Sequence, residues 1–333
     1  MTSSDQTAEL PRVGVVIGDP CGVGPEVLLK SWASGRLQAV CQPVAIGSAA
    51  VLQQTAAQLG LPVRVRTVAA PEELRGGADA LDVLDSGALD PALVTPGRDN
   101  EACGRASAVW LDEADAFARA GRLQATVMAP ISSVAMDMAG VLDRVVQAKP
   151  GESYLLLVSG PLRVAHLTDH VLLRDVSALI TAELIESTVH TLHEVLRRWG
   201  LARPRIAVAG FNPHAKGPEE ERMLPGIARA QAAGLDVSGP ISPDTVFRHC
   251  IEGRYDIVLA MYHDQGHIAI KTAAFAGNVA VVVGPPYPHV TVAHGTAYDI
   301  VGRGVADHSM LLNAILTAAS LAAGRGFPAL DGG

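Results

Sequence analysis

The chain has 333 residues, 49% of them apolar, which suffices for two domains or one large α/β unit and excludes disorder as the default. A net charge of −8 without runs of Lys or Arg argues against a nucleic-acid-binding protein, and four cysteines without C-x-x-C spacing indicate reduced thiols in a cytoplasmic protein. No apolar segment reaches the roughly 18 residues of a membrane-spanning helix, and residues 1–6 lack the features of a signal peptide.

Apolar runs that predict strands alternate with helical stretches along the chain. Strands are expected at 13–17, 44–46, 63–67, 125–129, 163–167, 205–209, 257–260 and 279–283, and helices from near Pro25 and at 49–59, 104–122, 178–199 and 309–323. Continuous apolar strands separated by helices predict a mostly parallel sheet covered on both faces. We expect two α/β lobes, the first comprising 1–129 plus 296–333 and the second 130–295.

The first predicted strand ends in the turn Gly18-Asp-Pro-Cys-Gly-Val-Gly-Pro-Glu26. Its glycines do not have G-x-G-x-x-G spacing, and the G-K-[ST] of a phosphate loop is missing. The turn therefore does not predict an ordinary dinucleotide or nucleotide-phosphate site. Asp19, at the strand end, either meets a ligand or caps the following helix.

The stretch Met261–Lys271 is the richest in side chains that can bind ligands or transfer protons. It follows the apolar run 256–260 and contains two histidines, a carboxylate, an amide, a glycine and a lysine. Ligands bind at the carboxyl ends of strands in open α/β sheets. A polar loop that only caps a strand is the alternative for any one of these residues. We interpret the whole group as part of a functional site.

Histidines recur after three of the predicted strands. His170 follows the predicted strand at 163–167, His214 follows that at 205–209, and His263 follows that at 257–260. Three imidazoles carried by parallel strands can converge on one divalent ion and leave a position open for substrate. Three unrelated surface histidines are the alternative. His166 is interpreted as a core or supporting residue.

Three further stretches are open to a functional and a structural interpretation. Asp244 either binds a substrate hydroxyl or caps a helix. Lys271 follows the apolar run 268–270, so partial burial would lower its pKa and suit a base; an exposed lysine is the alternative. The glycine-rich stretch Ala293–Gly304 suits close backbone approach to a phosphate-bearing cofactor, although this signal is weak on its own.

Together these motifs resemble the PdxA family over about residues 12–320. The resemblance is carried by Gly18–Glu26, His170 before Leu173-Arg-Asp175, Asn212-Pro-His-Ala215, Asp244-Thr245, His263-Asp-Gln-Gly266 with Lys271, and His294-Gly-Thr-Ala297 with Asp299. It implies a two-lobed α/β/α fold of the isocitrate/isopropylmalate dehydrogenase type with a cleft between lobes. It also implies NAD, one divalent metal ion per site, usually zinc, and a homodimer with the site at its interface.

The resemblance also implies residue roles. The metal ligands would be His170, His214 and His263. Lys271 would transfer a proton, and Asp244 and Asp264 would orient metal, water or substrate. The cofactor cleft would be lined by the loop containing His294, Gly295, Ala297, Asp299 and Gly302.

Departures from the family pattern bear on the substrate. Glu152 and Ser153 stand where the family has the His and Thr of a Gly-His-Thr-Glu motif, Ala280 stands for an asparagine, and His289 for an arginine. These exchanges remove donors that a phosphate dianion prefers, so we expect an unphosphorylated substrate. Substrate contacts are expected from Glu152, Ser153, Tyr154, His289 and Asp19.

Within the family, His267 and Asp299–Asp307 resemble the terephthalate cis-dihydrodiol dehydrogenase branch. The expected reaction is NAD- and metal-dependent oxidative decarboxylation of 1,2-dihydroxy-3,5-cyclohexadiene-1,4-dicarboxylate to protocatechuate. The alternatives are a 4-hydroxythreonine-4-phosphate or related sugar-acid phosphate dehydrogenase, a metal-dependent hydrolase and a small-molecule sensor. Zinc, iron, cobalt and nickel all suit three imidazoles, and NADP is not excluded.

Overall fold

The computed structural model describes residues 9–75, 77, 79–145, 148–273 and 278–329. Within them, twelve strands form one sheet: β1 Arg12–Val16, β2 Gln42–Ile46, β3 Val65–Val68, β4 Leu81–Leu84, β5 Ala125–Met128, β6 Tyr154–Ser159, β7 Leu162–His166, β8 Ile206–Ala209, β9 Val237–Ile241, β10 Ile257–Ala260, β11 Val279–Val283 and β12 His289–Val292.

Helices cover this sheet. They are α1 Gly24–Ala33, α2 Ala49–Leu59, α3 Glu101–Arg119, α4 Ser133–Met138, α5 Leu173–Leu179, α6 Ala182–Arg198, α7 Pro218–Ala232, α8 Val246–Ile251, α9 His263–Ala273 and α10 Ser309–Ala322. Strands such as β1, β5, β8, β10 and β11 are buried almost throughout, which explains their continuous apolar sequences. No helix in the described part of the chain combines the length and apolar character needed to cross a bilayer.

The sheet contains two parallel blocks. Its order is β3-β4-β2-β1-β5-β12-β11-β6-β7-β10-β8-β9. The strands from β3 to β12 are mutually parallel, and so are those from β7 to β9. Three antiparallel pairings through β11 and β6 separate the blocks, which therefore run in opposite directions. The predicted α/β class with a mostly parallel sheet is confirmed.

Several element bounds differ from those expected. The predicted helix at 178–199 corresponds to α6, which begins only at Ala182 because Thr181 caps it by accepting a hydrogen bond from the backbone N–H of Leu184. The stretch after β10 is not a loop, since α9 begins at His263. β4, β6, β9 and β12 were not expected; β9, for example, contains a glycine and a proline that obscure its pattern.

The predicted division into lobes at residues 129/130 and 295/296 stays a prediction. All twelve described strands belong to one hydrogen-bonded sheet. In addition, β12 pairs in parallel with β5, although the predicted boundaries assign these two strands to different lobes.

Gly104 in α3 tests how closely this helix must approach α4. A Cβ atom there would lie 2.1 Å from the carbonyl oxygen of Ala135. Ala normally stabilises a helix relative to Gly by about 1 kcal/mol. Because of the clash, we expect Gly104→Ala instead to lower the free energy of unfolding by about 1–3 kcal/mol. Urea unfolding followed by circular dichroism measures this change.

The matched control is Gly295→Ala, because a Cβ atom at Gly295 meets nothing within 4 Å. Its stability should stay close to that of the wild type. A gain of stability in Gly104→Ala would contradict the close approach of the two helices.

Candidate metal and substrate site

Four neighbouring parallel strands end at one edge of the sheet. They are β7, β10, β8 and β9, in that spatial order. The chain leaving their carboxyl ends carries His170, His263, His214 and Asp244, respectively. The strand placement inferred from the sequence thus delivers the three histidines to one edge, as a shared ligand site requires.

Two of the three predicted metal ligands lie together. One ligand atom each from His170, His263 and Asp169 lies within 4.8 Å of the others. The imidazole centroids of His170 and His263 are 5.2 Å apart. His263 Nδ1 lies 2.7 Å from a carboxylate oxygen of Asp264, which can only accept, so this nitrogen donates; in the neutral imidazole, Nε2 then has the lone pair that a metal ion requires.

Two further histidines, His267 and His166, lie close to His263. His267, one helical turn later in α9, stacks on the His263 ring at 3.7 Å and donates from Nδ1 to the His263 carbonyl oxygen at 3.0 Å. His166 lies 4.9 Å from the His267 ring and bonds the Leu155 carbonyl oxygen through Nδ1 at 3.0 Å. Burial lowers the pKa of His166 to about 3 and also lowers the pKa of His267. Both rings are therefore neutral near pH 7.

His214, the third predicted ligand, lines an adjoining cavity of about 630 Å³. Asp244 and Asp264 line the same cavity, together with Phe211 and Tyr262. His214 has a left-handed backbone with φ 58°. Among the described residues it does not belong to the compact group of His170 and His263, but Asp264 links that group to the cavity. Its role as a ligand stays a prediction.

The arrangement around His170 and His263 fits a divalent cation. His263 has a free Nε2 lone pair, and one carboxylate oxygen of buried Asp169 has no hydrogen-bond partner in the described chain. Neutral imidazoles and carboxylates are the donors that divalent transition metals accept. Asp169 was not among the residues predicted from the sequence, because the predicted ligand set relied on histidines alone; the available signal was a carboxylate next to the strand-end histidine.

Lys271 is exposed in the last turn of α9. Of the two interpretations open from the sequence, the structure agrees with the exposed lysine, because α9 spans 263–273 and neighbouring residues of a helix face different directions. Ile270 is buried whereas Ile268 is 65% exposed. The role of Lys271 in proton transfer stays a prediction.

A second cavity, of about 700 Å³, brings together three of the predicted substrate residues, Glu152, Ser153 and His289. His289 Nδ1 lies 2.7 Å from the Thr126 hydroxyl, and burial lowers the pKa of His289 to about 4. The imidazole is therefore neutral and does not replace the positive charge of an arginine. Cations on the wall come instead from Arg119, Arg144 and Lys149.

Tyr154 lies in the core rather than on this wall. It is 1% exposed, and its hydroxyl accepts hydrogen bonds from the Gly151 N–H at 3.2 Å and the Thr188 hydroxyl at 2.9 Å. Direct contact of Tyr154 with a substrate is therefore not supported. The side chain holds Gly151, next to Glu152, and can shape the cavity only through that turn.

Asp19 is also buried and does not face a cavity. One of its carboxylate oxygens accepts the Cys21 N–H at 2.9 Å, and the other accepts the Tyr298 hydroxyl. Burial, reinforced by the nearby Asp99 carboxylate, raises the pKa of Asp19. The predicted substrate contact from Asp19 is not supported; the residue joins the glycine-rich turn to the loop at 293–304.

That loop has the features of a partial nucleotide site. His294 donates from Nδ1 to the Gly295 carbonyl oxygen at 2.9 Å, and its buried Nε2 has no partner among the described residues. Ala297 has a left-handed backbone with φ 46°, Asp299 is exposed, and Gly302 lines a small cavity of about 110 Å³. A free imidazole nitrogen and an exposed carboxylate can accept hydrogen bonds from ribose hydroxyls, so these residues fit part of a dinucleotide.

Comparison with known proteins identifies the family. The family model described as pyridoxal phosphate biosynthetic protein PdxA matches residues 39–318. The chain belongs to the PdxA family. It is 54% identical to a Novosphingobium aromaticivorans protein named "Putative 4-hydroxythreonine-4-phosphate dehydrogenase", covering 95% of this chain and 96% of that one. It is 36% identical to D-threonate 4-phosphate dehydrogenase of Cupriavidus necator, covering 95% and 98%.

Solved structures agree with this assignment. A 4-hydroxythreonine-4-phosphate dehydrogenase from Klebsiella pneumoniae superposes with a TM-score of 0.82 at 35% identity, covering 94% of this chain and 99% of that one. A terephthalate 1,2-cis-dihydrodiol dehydrogenase from Burkholderia xenovorans gives 0.69 at 29% identity, covering 93% and 98%. The predicted family is confirmed, and the PdxA-family protein is an oxidoreductase, as its relatives are named dehydrogenases.

His289 provides a pH test of the second cavity. Its folded pKa of about 4 lies below the value of about 6.5 in an unfolded chain. As the pH falls below about 6.5, the unfolded state gains the proton first, so stability is lost at up to about 1.4 kcal/mol per pH unit. We expect His289→Gln to lessen this loss. Between pH 7.5 and pH 5 the free energy of unfolding of the variant should fall by about 2 kcal/mol less than that of the wild type.

Urea unfolding in EDTA at both pH values measures the double difference, which cancels any pH-independent cost of the substitution. The same pH dependence in both proteins would show that His289 is protonated as readily in the folded chain as in the unfolded one.

Proposed function

We propose that this PdxA-family protein oxidises a hydroxyl group β to a carboxylate with NAD and a divalent metal ion, and that decarboxylation follows. The observation that carries the proposal is the meeting of His170 and His263 beside buried Asp169 at the edge where His214 also emerges. A divalent ion there supplies Lewis acidity, and zinc suits these donors, as do iron, cobalt and nickel.

The remaining steps fall to the chain's own side chains. Asp264 fixes the tautomer of His263. Asp244 and Asp264 face the cavity beside the histidines and orient a polar substrate there. Lys271, exposed on the same helix, transfers the proton of the hydroxyl. The loop containing His294, Gly295, Ala297, Asp299 and Gly302 would hold the ribose of NAD, which would supply the hydride acceptor.

Two substrate classes fit. The first is a four-carbon hydroxy acid carrying a 4-phosphate, supported by the names of the relatives and by the arginine and lysine side chains on the second cavity's wall. The second is the unphosphorylated cyclic diol dicarboxylate expected from the sequence. It is supported by the neutral state of His289, by the carboxylate of Glu152 and by the similar Burkholderia xenovorans structure. We place the phosphorylated acid first because the more similar relatives bear its name.

Steady-state kinetics at 340 nm test both the reaction and its substrate. We expect NADH formation with D-threonate 4-phosphate or 4-hydroxythreonine 4-phosphate at higher kcat/KM than with the cyclic diol. Dialysis against EDTA should abolish turnover, and His170→Ala or His263→Ala should lower kcat/KM by at least about 100-fold.

Glu101→Gln on the exposed start of α3 is the matched control, with activity expected at the wild-type level. Higher kcat/KM with the diol would reverse the order of substrates. Product release without any change at 340 nm would replace the dehydrogenase proposal by a metal-dependent hydrolase.

We further propose a homodimer with the site at its interface. Leu172 and Leu173 lie two and three residues after His170 and are each 61% exposed, and Ile268 on α9 is 65% exposed. Exposed apolar side chains grouped beside a polar site are typical of a surface that another subunit covers. A second copy there would also enclose Lys271 and could bring His214 to the other two ligands.

Light scattering coupled to size-exclusion chromatography tests the dimer. We expect Leu172→Glu to shift the protein from dimer to monomer and to remove most activity. Leu93→Glu, at a position 49% exposed and distant in sequence from α5 and α9, should leave the dimer intact. A dimer that persists in Leu172→Glu would place the interface elsewhere.

A cytoplasmic location is also proposed. All four cysteines are free and buried, which is typical of proteins kept in a reducing compartment.

A further inference from the structure

Asp169 is a buried carboxyl group with few polar partners. The residue is 5% exposed, and its Oδ1 has no hydrogen-bond partner among the described residues. Its other oxygen lies 3.5 Å from Nδ1 of His170, which exceeds the usual 2.7–3.2 Å of an N–H···O hydrogen bond. Burial of a carboxylate is costly unless a cation or donors accompany it.

The backbone around Asp169 is fixed in place. The Thr168 hydroxyl donates to the Met261 carbonyl oxygen at 2.8 Å, which ties the end of β7 to the end of β10. The Val171 N–H donates to the Asp169 carbonyl oxygen at 2.7 Å. The carboxylate is therefore held at the junction from which His170 and His263 emerge, and it is not a solvated surface group.

The two carboxylates of this region differ in their partners. Asp264 is exposed and bonds His263 Nδ1 at 2.7 Å, which is the contact of a residue that orients a ligand. Asp169 makes no such bond, yet one of its oxygens lies within 4.8 Å of ligand atoms on both His170 and His263. Its geometry matches a third member of the donor group rather than a support for one histidine.

We propose that Asp169 is itself a ligand of the divalent cation, alongside His170 and His263. This inference rests on the proposed metal-dependent function and changes its donor set from imidazoles alone to imidazoles plus a carboxylate. A carboxylate ligand would offset half of a dication's charge and supply a hard oxygen donor, which extends the metals accepted toward manganese.

Metal titration and thermal unfolding of the EDTA-treated, dialysed protein test this assignment. Co²⁺ and Zn²⁺ are added to wild type, Asp169→Asn, His263→Ala and the surface control Glu101→Gln. We expect Asp169→Asn to weaken Co²⁺ binding by about 10–100-fold and to change the visible Co²⁺ spectrum. Its metal-free melting temperature should equal or exceed that of the wild type, because an uncompensated buried charge is removed. The rise in melting temperature on adding Zn²⁺ should shrink.

Unchanged Co²⁺ affinity and spectrum in Asp169→Asn would overturn the assignment and leave the proposed function standing. A lower metal-free melting temperature with an undiminished Zn²⁺ effect would also overturn it, since Asp169 would then be structural. Wild-type binding in His263→Ala, or no binding in wild type, would instead overturn the metal site of the proposed function, and the Asp169 ligand with it.

Discussion

Parallel pairing of β10 with β7 on one side and β8 on the other is the constraint on which the candidate site depends. The register sets Ala260 opposite His166 and Leu259 opposite Val208, so the three strands reach the sheet edge nearly level. Since parallel strands end on the same side, residues far apart in sequence emerge together. No local contact between the predicted histidines is needed to bring their segments to one edge.

The first turns of α9 place polar side chains at this edge of the sheet. Gln265 accepts the Met261 N–H at 2.7 Å and donates to the Gly210 carbonyl oxygen at 2.9 Å, which joins α9 to the segment following β8. Gly266 leaves room for His166, whose Nε2 would lie 2.2 Å from a Cβ atom there. The helix thus packs closely on β7, and His263 and His267 share one face because they are four residues apart.

The sequence predicted the fold better than it predicted the site. The bounds of α2, β10 and β11 agree with the expected ones because each is a continuous run whose length and composition decide its structure. Strand-end positions for His170, His214 and His263 were equally accessible from that pattern. The burial of Tyr154 and Asp19 was not accessible from the pattern. Tyr154 is held by Thr188 and Gly151, and Asp19 by Tyr298, and most of these partners are distant in sequence.

The proposed role of Asp169 was missed for a related reason. An acidic residue beside a strand-end histidine is visible in the sequence, but the unpartnered oxygen that gives it significance appears only in the fold.

The charges around the histidines are consistent with the proposed cation site at this edge. Burial keeps the imidazoles of His166 and His267 neutral, so neither ring places a positive charge beside His263. The carboxylate of Asp264 bonds His263, and this bond is the main cause of its lowered pKa. Together with the buried Asp169, this leaves lone pairs and negative charge facing one small volume. Such a volume repels an anionic substrate unless a dication is present, so under the proposed function we expect substrate binding to require the metal ion.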